Sequence, residues 1–306
     1  MVSIILVNFN TAQMTKECID SIEANIKDLC HEIIIVDNAS SDNSDMLLGS
    51  DKRIRYVKNP TNYGFGTANN IGAKMAKGDF LFFLNTDTLL TGNALKDYLD
   101  FYSYSDDNQN IGVIGGVLHD CKGDEIRSFG PFVKYSPFSK ILLHLQHFDF
   151  ISTLWNNSHK NKLAQIERDG FCDVDFISGA AMFIPRDVFE KIGGFDEKFF
   201  LNYEEIDLQK RLSDSGYRRV VIKSHKIIHF GGGSTTKGIS YRSYRISQDS
   251  LFTYANKHFR WYQYLLFYIC NIVGTIFFLL SPNNTGLSNM QKRNILYRTF
   301  LNNRVK

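Results

Sequence analysis

A chain of 306 residues, 43% hydrophobic and 22% charged, has the composition of an ordinary globular protein and is long enough for one large α/β domain or two smaller ones. Its five cysteines are odd in number, scattered and never at metal-ligand spacing, so they imply neither a disulfide framework nor a zinc site and point to a reducing compartment. The net charge of +3 hides an asymmetry: residues 1–249 carry all 32 acids and a net −4, whereas residues 250–306 carry seven bases and no acid.

The first ten residues, MVSIILVNFN, lack a basic leader and read as the first strand of a cytosolic domain. The run at 3–8 ends in Asn8-Phe9-Asn10-Thr11, and Thr11 is placed to cap a helix carrying Met14, Cys18, Ile19, Ile22 and Ile26 at helical spacing. A second apolar run, 33–36, ends in Asp37-Asn38-Ala39-Ser40, and a weaker strand follows at 55–57. Residues 59–70, NPTNYGFGTANN, form a glycine-bearing loop that opens into a helix. Phe80 to Leu84 then reads as a strand buried on both faces, stopping at Asn85-Thr86-Asp87-Thr88. In open α/β sheets ligands sit beyond the carboxyl ends of strands, so Asp87 falls where a metal or a phosphate-bearing ligand would be held, although Asn, Thr and Asp also make ordinary turns.

Residues 89–104 read as a helix and 111–117 as another buried strand. From 121 to 173 no long period holds, and the aromatic residues there, among them Tyr135, Phe138, Phe148 and Trp155, suggest a substrate-side insertion. Residues 174–185 form a strand broken by the small residues Ser178 to Ala181. Asn202 or Tyr203 opens a helix with Glu204, Glu205 and Asp207 in its first turn; acids there suit the helix dipole, and an Asp207–Arg211 pair is their ordinary explanation. Strand 220–222 and segment 225–229 come next, followed by Gly231, Gly232 and Gly233. Alternating strands and helices imply a mostly parallel sheet flanked by helices.

Five of these stretches occur together in a recognisable order: SIILVNFN, IIIVDNASSD, NYGFGTANNIGAKMAKGDFLFFLNTDT, VDFISGAAMFIPRDVFEKIGGFDEKFFLNYEEIDLQKRL and His229 in IIHFGG. Over 1–118 and 173–235 the chain resembles the family 2 inverting glycosyltransferases of the GT-A fold, closest in pattern to bacterial rhamnosyltransferase-like members. The resemblance implies a Rossmann-like GT-A domain at 1–250, with a nucleotide-sugar half at 1–118 and an acceptor half at 119–250. A basic, aromatic helical extension, membrane-associated by expectation, would follow at 251–306.

By that resemblance Asp37 accepts the imide N–H of uracil or thymine, and Asn8 and Asn10 support base and ribose, with turn formation equally open for Asn10. Gly64 and Gly66 would bring the backbone close to the diphosphate, and Asn69 and Asn70 would supply donors. Asn85-Thr86-Asp87 stands at the family's Asp-x-Asp position, but Asn85 is neutral, so Asp87 becomes the main carboxylate for Mg²⁺ or Mn²⁺, with His229 as a further ligand. Glu205 takes the position of the base, and Glu204 and Asp207 support it. The expected donor is a UDP- or dTDP-sugar, rhamnose being the leading sugar, and the expected acceptor a saccharide or polyprenyl-linked saccharide.

Residues 261–280 carry no charge and approach the length of a spanning helix, but Gln263, Asn271, Gly274 and Thr275 weaken the run and Pro282 ends it. Beside the basic tail this favours monotopic or peripheral attachment to an anionic membrane, at the inner face of the plasma membrane, over a spanning helix or a buried helical pair. No nucleic-acid recognition motif accompanies the charge, so no nucleic-acid partner is expected, and a homo-oligomer is compatible with the sequence. Two rival readings are a sugar-nucleotide nucleotidyltransferase and a catalytically silent glycan-binding protein. The first calls for a glycine- and base-rich triphosphate loop, and residues 2–11 contain no Gly, Lys or Arg.

Overall fold

The structure, a computed structural model, describes residues 1–105, 110–132, 149–231, 241–280, 290–291 and 294. It divides into two compact units, residues 1–132 with 163–237, and residues 133–162 with 238–306. The expectations for Tyr135, Phe138, Phe148, Gly232, Gly233, Pro282 and the basic residues beyond 291 lie outside the described residues.

The first unit is an α/β sheet in the order β3-β2-β1-β4-β10-β6-β11-β5, with β8 paired to β11. Strands β1 (Val2–Asn8), β2 (His31–Asp37), β3 (Ile54–Lys58) and β4 (Phe80–Leu84) run parallel, because helix α1 (Ala12–Asn25), short α2 (Ser44–Leu48) and α3 (Phe65–Met75) return the chain between them. All four core positions 81–84 of β4 are at most 1% exposed, as a strand covered on both faces requires. Strand β10 (Ala181–Pro185) runs antiparallel to β4 and to β6 (Ile111–His119), and β6 pairs in parallel with β11 (Arg218–His229). That reversal brings the small residues just before β10 to the carboxyl edge of β4, where the Asn85 amide donates to the Ala180 carbonyl at 2.9 Å.

Four local readings change. The stretch expected as one helix from 89 begins with strand β5 (Thr88–Leu90), antiparallel to β11, and helix α4 (Ala94–Tyr104) starts only after Asn93, whose side chain accepts from the Lys96 amide. The segments 220–222 and 225–229 are one strand with an irregularity between Ile222 and Ile227. The broken strand at 174–185 is two, with short β9 (Phe176–Ile177) paired to β7 (Phe129–Gly130). The insertion contains a helix, α5 (Asp149–Asp169), ahead of β8 (Phe171–Asp173); the polar run 156–162 interrupts the apolar stripe that would have revealed it.

Helix α6 (Arg186–Lys191) leads to α7 (Glu204–Asp214). Three side chains clamp α7. Gln209, wholly buried, accepts from the Ile177 amide and donates to the Ile177 carbonyl, both at 2.7 Å, completing the edge of β9 as a backbone would. Arg211 pairs with fully buried Asp207 at 2.9 Å and donates to the carbonyls of Ile192 and Gly194. The second unit contains α8 (Tyr241–His258) and α9 (Trp261–Leu280).

Candidate active site

A cleft of about 210 Å³ opens at the carboxyl edge of the sheet, walled by Val7, Phe9 and Thr11 at the end of β1, Asn38 after β2, Asn62, Gly64 and Phe65 at the start of α3, Asn85 to Asp87 after β4, and Phe200 and Leu201. Gly64 shapes one wall. Its φ is +89°, and a β-carbon there would fall 2.3 Å from the Phe200 carbonyl oxygen, so only glycine lets the α3 turn pass under residues 200–201. Gly64→Ala is expected to destabilise the protein by about 2–4 kcal/mol, read as a lower thermal midpoint.

The residues expected to hold the nucleoside sit behind this wall. Asn8 is fully buried: its amide donates to Asp37 Oδ2 at 2.5 Å and to the hydroxyls of Ser40 and Ser44, and its carbonyl accepts from Thr11 and Thr15. Asp37, also fully buried, takes that bond and the Ser40 amide at 2.8 Å. Asn10, at φ 56°, accepts from the Ser41 amide and is a turn former. These three tie the β1 and β2 turns together. Thr11 precedes α1 but makes no capping bond, its hydroxyl being used on Asn8.

Asn69 and Asn70 are likewise spent internally. Asn69 donates to the Phe65 carbonyl one turn back, while Asn70 bonds both the carbonyl and the amide of Phe195, at 2.8 and 2.9 Å. Gly66 makes room for Phe195 and Glu204: a β-carbon there would lie 3.1 and 3.5 Å from theirs. Asn38 reaches the cleft instead, linking Asn62 and the Gly64 carbonyl through its amide. Phe9, 38% exposed, adds an open aromatic face. An aromatic set between two asparagines just past a strand end was the available sequence signal for Phe9.

Asp87 and His229 come together. Strand pairing sets His229 opposite Thr88, the Phe230 amide donates to the Asp87 carbonyl at 2.9 Å, and His229 Nε2 lies 3.3 Å from Asp87 Oδ1. Asn85 contributes a buried side-chain oxygen that has no hydrogen-bond partner. No cluster of three or more His, Cys, Asp or Glu side chains suited to a metal occurs among the described residues.

The acidic helix start completes the edge. Asn202 and Tyr203 both adopt left-handed backbone, at φ 69° and 70°, which turns the chain from the cleft wall directly into α7. Glu205 then lies across the strand break: a β-carbon on Gly179 would be 3.4 Å from Glu205 Cβ and 3.5 Å from its Cγ. Burial raises the Glu205 carboxyl above its ordinary value of 4.5, opposed by backbone amides of the helix start. Glu204 is 3% exposed with Oε2 unpartnered, and burial, then the neighbouring Glu205 charge, pushes it well above 4.5. Asp207 does not join them, being bound to Arg211 on the structural side of the helix.

A raised carboxyl holds its proton more tightly in the folded than in the unfolded chain, so the Glu204 contribution to stability is lost as pH rises from about 4.5 through its raised value. Glu204→Gln, isosteric and uncharged, is expected to flatten that fall. Thermal midpoints measured across pH 5–9 check this, and a variant with the parent's slope would mean that Glu204 does not titrate in the window.

A mostly parallel sheet with a cleft of about 210 Å³ and an Asp–His pair at its carboxyl edge is the arrangement of a glycosyltransferase of the GT-A fold. The chain belongs to glycosyl transferase family 2, whose sequence model matches residues 3–193. It is 25% identical over 266 residues to the rhamnosyltransferase WbbL of Escherichia coli K12, covering 83% of this chain and 92% of that one. It is 22% identical over 259 residues to the N-acetylglucosaminyl-diphospho-decaprenol L-rhamnosyltransferase of Mycobacterium tuberculosis H37Rv, covering 76% of each. In fold it is similar to GalNAc-T7, solved with UDP, GalNAc and Mn²⁺, with a TM-score of 0.56 at 14% identity over 84% of this chain and half of that one.

Proposed function

We propose that the protein is a metal-dependent inverting glycosyltransferase that moves a sugar, rhamnose by similarity to its relatives, from a UDP- or dTDP-sugar to a lipid-linked saccharide of a bacterial surface polysaccharide. The observation that carries this reading is the Asp87–His229 pair, 3.3 Å apart, with Asp87 in the wall of the cleft. The donor's nucleoside is assigned to the cleft between Phe9 and Phe200, with Asn38 and Asn62 as its polar contacts.

The donor set suits Mg²⁺ or Mn²⁺: a carboxylate at Asp87, an imidazole at His229 and the unpartnered oxygen of Asn85. When bound, such an ion neutralises the diphosphate leaving group. Glu205 accepts the proton of the acceptor hydroxyl as that oxygen bonds to the anomeric carbon from the face opposite the leaving group, and the bond to the diphosphate oxygen breaks. Burial raises the Glu204 carboxyl well above its ordinary value, with the neighbouring Glu205 charge adding to the shift, so Glu204 resists sharing the pair's negative charge with Glu205. Membrane-linked acceptors imply work at the inner face of the plasma membrane.

A thermal-shift panel of nucleotide sugars with and without Mn²⁺ tests the donor site, because a ligand that binds only the native state raises its apparent stability. Shifts with UDP or dTDP compounds that vanish with chelator are expected, followed by sugar transfer to a polyprenyl-linked acceptor. Absence of any shift with either nucleotide sinks the reading.

A further inference from the structure

Helix α9 has the polarity of a helix turned inside out. Between Trp261 and Ile276 every exposed side chain is apolar or aromatic: Trp261, 79% exposed, with Tyr262, Leu265, Leu266, Ile269 and Ile276. At the helical angle per residue these positions share roughly 140° of the circumference. The opposite face buries Phe267 and Cys270 together with the polar Asn271 and Thr275, which are 3% and 1% exposed.

Those polar groups are used against α8. Asn271 Nδ2 donates to Gln248 Oε1 at 3.4 Å, and Thr275 faces the Tyr244 hydroxyl. The Phe252 and Phe267 rings pack edge to face at 5.3 Å beside them. A helix that meets water places its polar residues outward and its apolar residues inward, the reverse of what α9 does.

The charge around this face identifies what covers it. Arg260 immediately precedes the exposed Trp261-Tyr262 pair, Lys257 stands one turn earlier, and the sequence holds no acid from 250 to 306. Basic residues beside interfacial aromatics suit an anionic headgroup layer, with the apolar stripe entering the acyl boundary. A symmetric contact between two copies through α9 would instead bring two uniformly basic segments together. Among the described residues no helix is long and apolar enough to cross a membrane, and α9 keeps Asn271 and Thr275 buried on the face opposite the apolar stripe, the two-sided pattern of a helix lying in an interface.

We propose that α9 lies in the plane of an anionic lipid bilayer, with Trp261, Leu265, Leu266 and Ile269 inserted at the headgroup–acyl boundary. This deepens the reading of a lipid-linked acceptor, but it is tested without any substrate, so failure of sugar transfer leaves it standing and its own failure leaves the donor site standing.

The full-length protein is floated with phosphatidylcholine vesicles, with and without phosphatidylglycerol. Co-flotation only with the phosphatidylglycerol vesicles is expected. In a Trp155→Phe background, Trp261 emission moves to shorter wavelength on binding. The double substitution Leu265→Glu and Ile269→Glu is expected to lower the bound fraction about tenfold at an unchanged thermal midpoint, since both side chains are exposed; Trp261→Ala moves binding the same way. Flotation of the double variant equal to the parent's, no flotation on either vesicle, or a dimer in solution that the double variant converts to monomer overturns the proposal, the last in favour of a second copy of the chain.

Discussion

Glu205→Gln is expected to lower kcat by about 10²- to 10⁴-fold while leaving the thermal midpoint and the KM for the nucleotide sugar near the parent's. The amide keeps the size of the side chain over Gly179 and keeps the backbone bonds of the helix start, but it cannot take a proton. Gln209 and Arg211 hold α7 independently of residue 205, so the geometry survives the change. Asp207→Asn is the contrasting variant. It breaks a buried pair and is expected to cost about 3–5 kcal/mol of stability through Arg211, with turnover per folded molecule much less affected. Normal turnover in Glu205→Gln together with its loss in folded Asp207→Asn would reverse the assignment.

The pH profile supplies a second reading of the same residue. Burial raises the Glu205 carboxyl above 4.5, and a base works only after losing its proton. Activity is therefore expected to rise with pH along an acidic limb that lies above the ordinary carboxylate range. That limb should be absent from the residual rate of Glu205→Gln.

The chemistry-bearing edge was legible because its signals are local. Phe80 to Leu84 could only be a buried strand, and an acid three residues past its end had to emerge at the edge; likewise an acidic triplet opening a helix has few places to go. What sequence could not tell was which way each polar group turned. Asn8, Asn10 and Asp37 occupy strand ends as ligand-binding residues do, yet Asn8 and Asp37 bond each other and Asn10 holds the Ser41 amide, and a run of letters reads the same in either case. Asn70 and Gln209 were hidden for a related reason: their partners are backbone groups of Phe195 and Ile177, far along the chain. Strand β5 is three residues long and forms only because β11 lies beside it, a tertiary cause with no local pattern.

Asp87→Asn is expected to lower kcat/KM by roughly 10³-fold, about 4 kcal/mol, and to abolish the Mn²⁺-dependent stabilisation by UDP or dTDP. The reason lies in the neighbouring position. Where two carboxylates share a site, losing one leaves a charge to hold the cation; here residue 85 is an asparagine, so Asp87→Asn leaves only the neutral oxygens and His229. Asn85→Asp should act in the opposite direction, tightening Mn²⁺ by supplying a second negative charge at a buried oxygen that has no other partner. Both variants are read by titrating Mn²⁺ against the thermal shift with UDP, where binding of the ion is seen apart from turnover. If Asp87→Asn still responds to Mn²⁺ as the parent does, the ion is held elsewhere and the pairing of Asp87 with His229 is structural.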